Sequence, residues 1–402
     1  MNPSAKPGTA RSARQLVIHL AAAALLAACG GGGDAGSASA GADTGSFSAG
    51  AISGFGSVIV NGVRFDDSRA TVTDDDGQAV DKGSLRLGMR VEIHGGAIND
   101  DGSARRAEAR RIHFGSEIVG PVTAVDAAAR TVVVLGRTVL ILDTTVIDDG
   151  LAGGFAGIAV GTVLEVHGTR DAVTGAITAS RIEAKGAGTS FKLRGTVSAL
   201  DTTAKTFRIG VTLVSYANLT ALPTDFANGL LVRVRLQSLA VAGAFVAVRL
   251  DVAGQKVEDA DEAEIEGSVT AFTSNASFSV NGIPVDASQA SFPKGTTGLG
   301  LGAQVEVRGT TRNGVVIASR VKVEDHSDRR AEGFELHGSI TAIDAVAKTF
   351  VLRGVTVSFA SPVVDFRKGT AAQLAVGVKL EVRGTLSANG TMLQATRISF
   401  GD

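Results

Sequence analysis

The chain has 402 residues, of which 20% are charged and 4% aromatic, with 51 glycines, 7 prolines, no tryptophan and a formal net charge of −1. That length exceeds one ordinary domain, and a composition rich in Val, Thr and Gly favours short strands and tight turns over helices. A near-neutral surface poor in aromatics offers neither the charge nor the stacking that nucleic acid requires, and a single cysteine excludes disulfides within the chain.

Residues 1–28 read as an export signal. Lys6, Arg11 and Arg14 precede the apolar run LVIHLAAAALLA, which is shorter than the ~20 residues a membrane-spanning helix needs. The run ends in Leu26-Ala27-Ala28-Cys29, a stretch that resembles the lipobox of bacterial lipoproteins. The resemblance implies cleavage before Cys29, attachment of lipid to its thiol and, with Gly30 following, sorting to the outer membrane of the bacterial cell envelope. Removing residues 1–28 takes three basic residues and no acid, so the formal charge falls from −1 to −4. Residues 29–48 read as a flexible tether.

Five copies of one phrase follow: LGMRVEIHGG, VGTVLEVHGT, NGLLVRVRLQ, LGAQVEVRGT and VGVKLEVRGT. Their leading glycines are Gly88, Gly161, Gly229, Gly302 and Gly377, at spacings of 73, 68, 73 and 75, so each repeat is a domain of about seventy residues. The domains run 49–115, 117–185, 190–254, 264–325 and 333–402. Each opens with a strand such as VGPVTAVD and continues into a hairpin. Asn61-Gly62 and Asn281-Gly282 suit a type I′ turn. Asp126, Asp201 and Asp344 suit turns whose amides they can cap. The phrase supplies a fourth strand with apolar and polar residues alternating, and segments such as ASRIEAK supply a fifth.

The expected fold is all-β, a tandem array of about five small five-stranded OB-like barrels, with SH3-like barrels or small sandwiches as the alternative. The segments 185–190, 255–264 and 325–333 read as linkers, giving a string of beads that each bury their own core.

Charges recur with the repeats. Glu92, Glu165, Glu306 and Glu381 lie in the phrase, and Arg111, Arg181, Arg249, Arg320 and Arg397 lie in the fifth strand. Neighbouring antiparallel strands would set them side by side on an outer face, where such pairs fix register. Repeat 3 departs from this, because Arg233 replaces the glutamate and would face Arg249. With Lys192, Arg194, Arg208 and Arg235 it makes a basic face, beside the sole tyrosine, Tyr216. An anion, an acidic partner or the linker 258–264 would neutralise that face; arginines splayed into water are the alternative. His94 and His167 take the place of Arg308 and Arg383 and read as surface residues. The acidic stretches TDDDGQ, NDDGS and IDDG lack the alternating ligands and final glutamate of a calcium loop and read as turns. No metal or cofactor is expected, and the sequence contains no GxSxG or HExxH motif.

GAISGFGSVIVNGVRFD at 50–66 and the recurring VTAVD, LEVHGT and ASRIEA segments resemble the bacterial domain of unknown function DUF5666, from about residue 50 to the end. That likeness implies an exported, repeat-built envelope protein and carries no functional residues across. The expected function is that of a non-enzymatic, lipid-anchored spacer or binding module, with an envelope glycan or protein as partner. An OB-type binder of oligosaccharide or nucleic acid, and a hydrolase with a site between repeats, are the competing classes.

Overall fold

The computed structural model describes residues 45–186, 188–253, 257–324 and 333–401. The signal segment, Cys29 and the tether up to residue 44 lie outside them. The described residues belong to one compact unit.

All five repeats fold to one plan. In repeat 1 the strands Ser46–Phe55, Val58–Val60 and Val63–Asp66 form an antiparallel meander, and Arg90–Gly95 and Arg105–Phe114 close it. The third strand pairs in parallel with the fifth, the fifth antiparallel with the fourth, and the fourth antiparallel with the first. The ring order is therefore 1-2-3-5-4-1, and it recurs in repeat 2, repeat 3, repeat 4 and repeat 5. This is the OB arrangement. The chain is all-β apart from three short 3₁₀ turns among the described residues.

The recurring phrase has a structural origin at two glycines. Gly88, Gly161, Gly229, Gly302 and Gly377 all have φ between 77° and 93°, a region costly for other residues. Each donates its N–H to a first-strand carbonyl: Ile52, Val122, Val197, Val269 and Ile340 respectively. The same five first-strand residues each donate back to the residue after the glycine, which latches the fourth strand to the first.

A second glycine sits one residue past a register shift in the fourth strand, at Gly95, Gly168, Gly309 and Gly384. A Cβ there would run into a fifth-strand carbonyl, that of Glu108, Thr178, Ile317 or Gln394. Repeat 3 carries buried Leu236 at this shift. Gly309→Ala should therefore destabilise the chain by about 2 kcal/mol through forced backbone movement, read as a lower urea midpoint. An unchanged midpoint would show that the bulge opens freely.

Asn61 and Gly62 have φ of 51° and 73°, and Asn281 and Gly282 have 52° and 90°, as a type I′ turn requires. Asp126, Asp201 and Asp344 each accept N–H bonds from the residues two and three ahead.

The beads are fused. Ser46–Ala49 pairs in parallel with Glu262–Ile265 of repeat 4, and Gly54 and Phe55 pair with Glu335 and Leu336 of repeat 5. Lys192 and Leu193 of repeat 3 pair with Val119 and Ile118 of repeat 2. Three apolar cores result where five separate ones were expected. One spans repeats 2 and 3, one spans repeats 1 and 5, and repeat 4 receives Phe47 and Ala49 from repeat 1. The cause is first-strand length: these strands reach 15 residues in Ala260–Ser274, enough to close a barrel and also pair with a neighbour. Two boundaries move accordingly. Residues 46–48, read as tether, and much of 258–264, read as linker, are strand.

Candidate functional site

The register of the fourth and fifth strands also sets the charges. The repeated glutamates do not face the fifth-strand arginines. Glu92 stands opposite His113, Glu165 opposite Glu183, Glu306 opposite Lys322 and Glu381 opposite Ser399. The fifth-strand arginines fall two residues further along the phrase, opposite His94, His167, Arg235, Arg308 and Arg383.

Two acidic partners on the first strand, which the sequence pattern did not reveal, complete the scheme. Glu264 is paired with Arg308 and Glu335 with Arg383 across the first and fourth strands. Glu264 holds Arg308 at 2.7 Å and Arg105 of repeat 1 at 2.7 Å. Glu335 holds Arg383 at 3.3 Å and Arg64 of repeat 1. Glu117 holds the neighbouring position in repeat 2, one residue before Ile118, which pairs with Val166.

In repeat 3 this position is basic: Lys192 pairs with Arg235. The missing carboxylates come from repeat 1. Thr71–Thr73 and Ala79–Val80 form a small hairpin whose turn is held by Asp74 Oδ1, which accepts N–H bonds from Asp76 and Gln78 at 2.9 Å each. The turn presents Asp75 and Asp76 to repeat 3. Asp75 binds Arg233 at 2.5 Å and Lys192 at 3.3 Å, and accepts the N–H of Ser116 at 3.0 Å. Asp76 binds Arg235 and lies 4.0 Å from Arg249, which also binds Asp251 at 2.7 Å.

Arg194 binds Glu117 at 2.6 Å and the carbonyls of Ala253 and Asn281. Arg208 stands apart from this group and donates to the Val211 carbonyl. Tyr216 packs in the core against Phe207 and Phe226. The acidic segment that meets the basic face is thus residues 75–76, and not the linker 258–264.

Behind this contact lies a cavity of about 70 Å³, lined by Glu92, Asp75, Arg90, His113, Arg194 and Arg233 among others. Glu92 Oε2 is shielded from solvent and has no hydrogen-bond partner. Burial outweighs Arg194, Arg90 and Arg233 and pushes its carboxyl up to about 7. Burial likewise holds His113 below the ordinary histidine range. A raised acid facing a lowered histidine is a pattern found at acid–base sites. The space among these side chains has room for a few waters.

His167, expected at the surface, is 1% exposed. The junction of repeats covers it, and its Nδ1 lies 3.0 Å from the Gly115 carbonyl. His94 is half-buried against Phe47.

A second cavity, of about 380 Å³, lies among Arg64, Glu264, Glu306, Arg308, Glu335 and Arg383 of repeats 1, 4 and 5. Beside it, Glu335, His337 and Glu381 bring potential metal-ligand atoms within 4.8 Å of one another. Arg64 and Arg383 already occupy the Glu335 carboxylate, and Arg64 Nη1 is 3.3 Å from His337 Nε2. Guanidinium groups therefore supply the positive charge there.

The family model described as a domain of unknown function, DUF5666, matches four segments: 48–108, 119–183, 266–322 and 337–399. Together these cover more than half of the chain. They coincide with repeats 1, 2, 4 and 5, leaving the charge-inverted third repeat unmatched. No curated protein matches the chain.

Proposed function

This chain belongs to the DUF5666 family, and on that premise we propose that it is an exported protein, lipid-anchored at the bacterial outer membrane through Cys29, that works by binding and not by catalysis. The observation that carries the non-catalytic part is the pairing of charges between repeats. The acidic hairpin of repeat 1 neutralises the basic face of repeat 3, so those cations already have carboxylate partners within the chain. Fusion of the repeats through their first strands favours a block that presents a fixed surface over an extended spacer.

An OB-type binder that stacks bases or sugars has less support. Phe272 is the only phenylalanine exposed among the described residues, and the others are buried or half-buried in or against the apolar cores, so the described residues offer no aromatic platform for stacking. The partner that fits this reading is an envelope glycan or protein.

The anchoring is tested by expressing the full chain in a Gram-negative host fed an alkyne fatty acid. The wild type should take up label and sediment with outer membranes, and Cys29→Ser should do neither. Label retained by Cys29→Ser, or none on the wild type, would overturn the anchor.

A further inference from the structure

Two arginines of repeat 2 take no part in the ion pairs described above. Arg137 opens the third strand, Arg137–Ile147, and Arg170 ends the fourth, Val163–Arg170. They are 9% and 8% exposed, and the Nε of each is buried without a hydrogen-bond partner. Their strands flank the fifth, in which Ile177 pairs with both Val139 and Arg170.

The Arg137 guanidinium crosses the boundary between repeats. It lies against Gly175 of its own repeat and against Gly195 and Gly210 of repeat 3, close enough that a Cβ at any of the three would crowd it. Beside it, the turn of the repeat 2 hairpin is fixed to repeat 3 by Thr212 Oγ1, which donates to the Leu135 carbonyl at 2.6 Å. The guanidinium thus lies along glycine backbone on three sides, where the absence of side chains leaves it room.

The carboxylate nearest in effect to both arginines is Glu117, and its Oε1 is already bound by Arg194 at 2.6 Å. Arg194 also has Glu92 and Asp75 near it and Arg170 has Asp171, so Arg137 is the guanidinium left with Glu117 alone as counter-charge. Buried charges without partners are costly, and a guanidinium does not escape by losing its proton. Burial and the neighbouring Arg170 hold Arg137 below the ordinary arginine range, and burial does the same to Arg170. Water can accept single hydrogen bonds here but leaves the charge excess in place. A group with several acceptor oxygens and at least one negative charge answers both needs.

We propose that Arg137 and Arg170 form a binding site for a small oxyanion of the phosphate or sulfate class, where repeat 2 meets repeat 3. Glu117 contributes a negative charge to the same region and holds the affinity to a modest level. The site is separate from the basic face of repeat 3, whose cations already hold Asp75 and Asp76.

The test uses the full chain with inorganic phosphate, and separately sulfate, against sodium chloride at matched ionic strength and pH 7.5. Titration calorimetry should show saturable binding of phosphate or sulfate, and thermal unfolding should shift upward with the oxyanion beyond the shift in chloride. Arg137→Gln and Arg170→Gln should each weaken binding about ten- to hundred-fold. Arg208→Gln, on the surface of repeat 3, should leave it unchanged. Because the wild-type comparison of oxyanion with chloride needs no variant, the proposal stays testable if a Gln variant fails to fold. Absence of saturable binding by the wild type overturns the site, as does undiminished binding by folded Arg137→Gln and Arg170→Gln.

Discussion

Asp75→Ala should destabilise the chain by about 3–5 kcal/mol, the range for removing one partner of a buried ion pair. The size follows from burial. The Asp75 side chain is 6% exposed, and those of Arg233 and Lys192 are 15% and 19% exposed. Truncation removes the carboxylate from both cations and the acceptor of the Ser116 N–H, and leaves Arg233 only the Asp75 backbone carbonyl at 2.6 Å. Glu381→Ala, which removes a pair with half-exposed Arg383, should by contrast cost about 0–1 kcal/mol. Urea unfolding of the full chain measures both. Pairing Asp75→Ala with Arg233→Leu should recover part of the loss, because the second change removes a cation that the first left unpaired. A loss below about 1 kcal/mol for Asp75→Ala would mean that the arginines turn into water, and that the hairpin contact is incidental.

The dependence of repeat 3 on Asp75 marks the boundary between what could and could not be read from the sequence. Barrel count, hairpin turns and the latch glycines were legible because each depends on residues close in the chain. Asn-Gly permits one kind of turn, and a glycine before an alternating strand marks a positive φ. The charge inversion at Arg233 was also visible, but its counterion was not, since Asp75 lies 158 residues away and looks like any other acidic turn.

The glutamate–arginine pairing failed for a more local reason. The bulge moves each arginine by one residue, to the position two past the glutamate, and the hairpin length that sets the other step leaves no mark in the alternation of apolar and polar residues. Arg137 and Arg170 carry no signal at all. A single arginine in a hairpin reads as exposed until another repeat is placed over it, and Gly195 and Gly210, which make room for Arg137, resemble ordinary strand and turn glycines.

Replacing Glu92 with Gln should make the chain more stable than the wild type at pH 8 by on the order of 3 kcal/mol, with the advantage shrinking as the pH falls from about 7 and gone below about 4.5. The carboxyl has an ordinary value of 4.5 and is pushed up to about 7 by burial in the fold. Between those values the folded state holds a proton that the unfolded state has released, so the contribution of Glu92 to stability is full below pH 4.5 and is lost as the pH rises through 7. The histidines act in the opposite sense. His94, His113 and His167 are all lowered from 6.5 by burial, so each favours folding at high pH and is lost as the pH falls. Glu183, held down at about 2 with Arg181 and Lys185 as its partners, also favours the higher pH, but its window closes at 4.5. The wild-type profile therefore mixes opposing slopes, and the difference between wild type and Glu92→Gln isolates one group. Chemical denaturation at half-unit steps from pH 4 to 8 gives that difference. A flat difference curve would show that Arg90, Arg194 and Arg233 keep Glu92 ionised in the fold, and the cavity would then hold one more compensated ion pair.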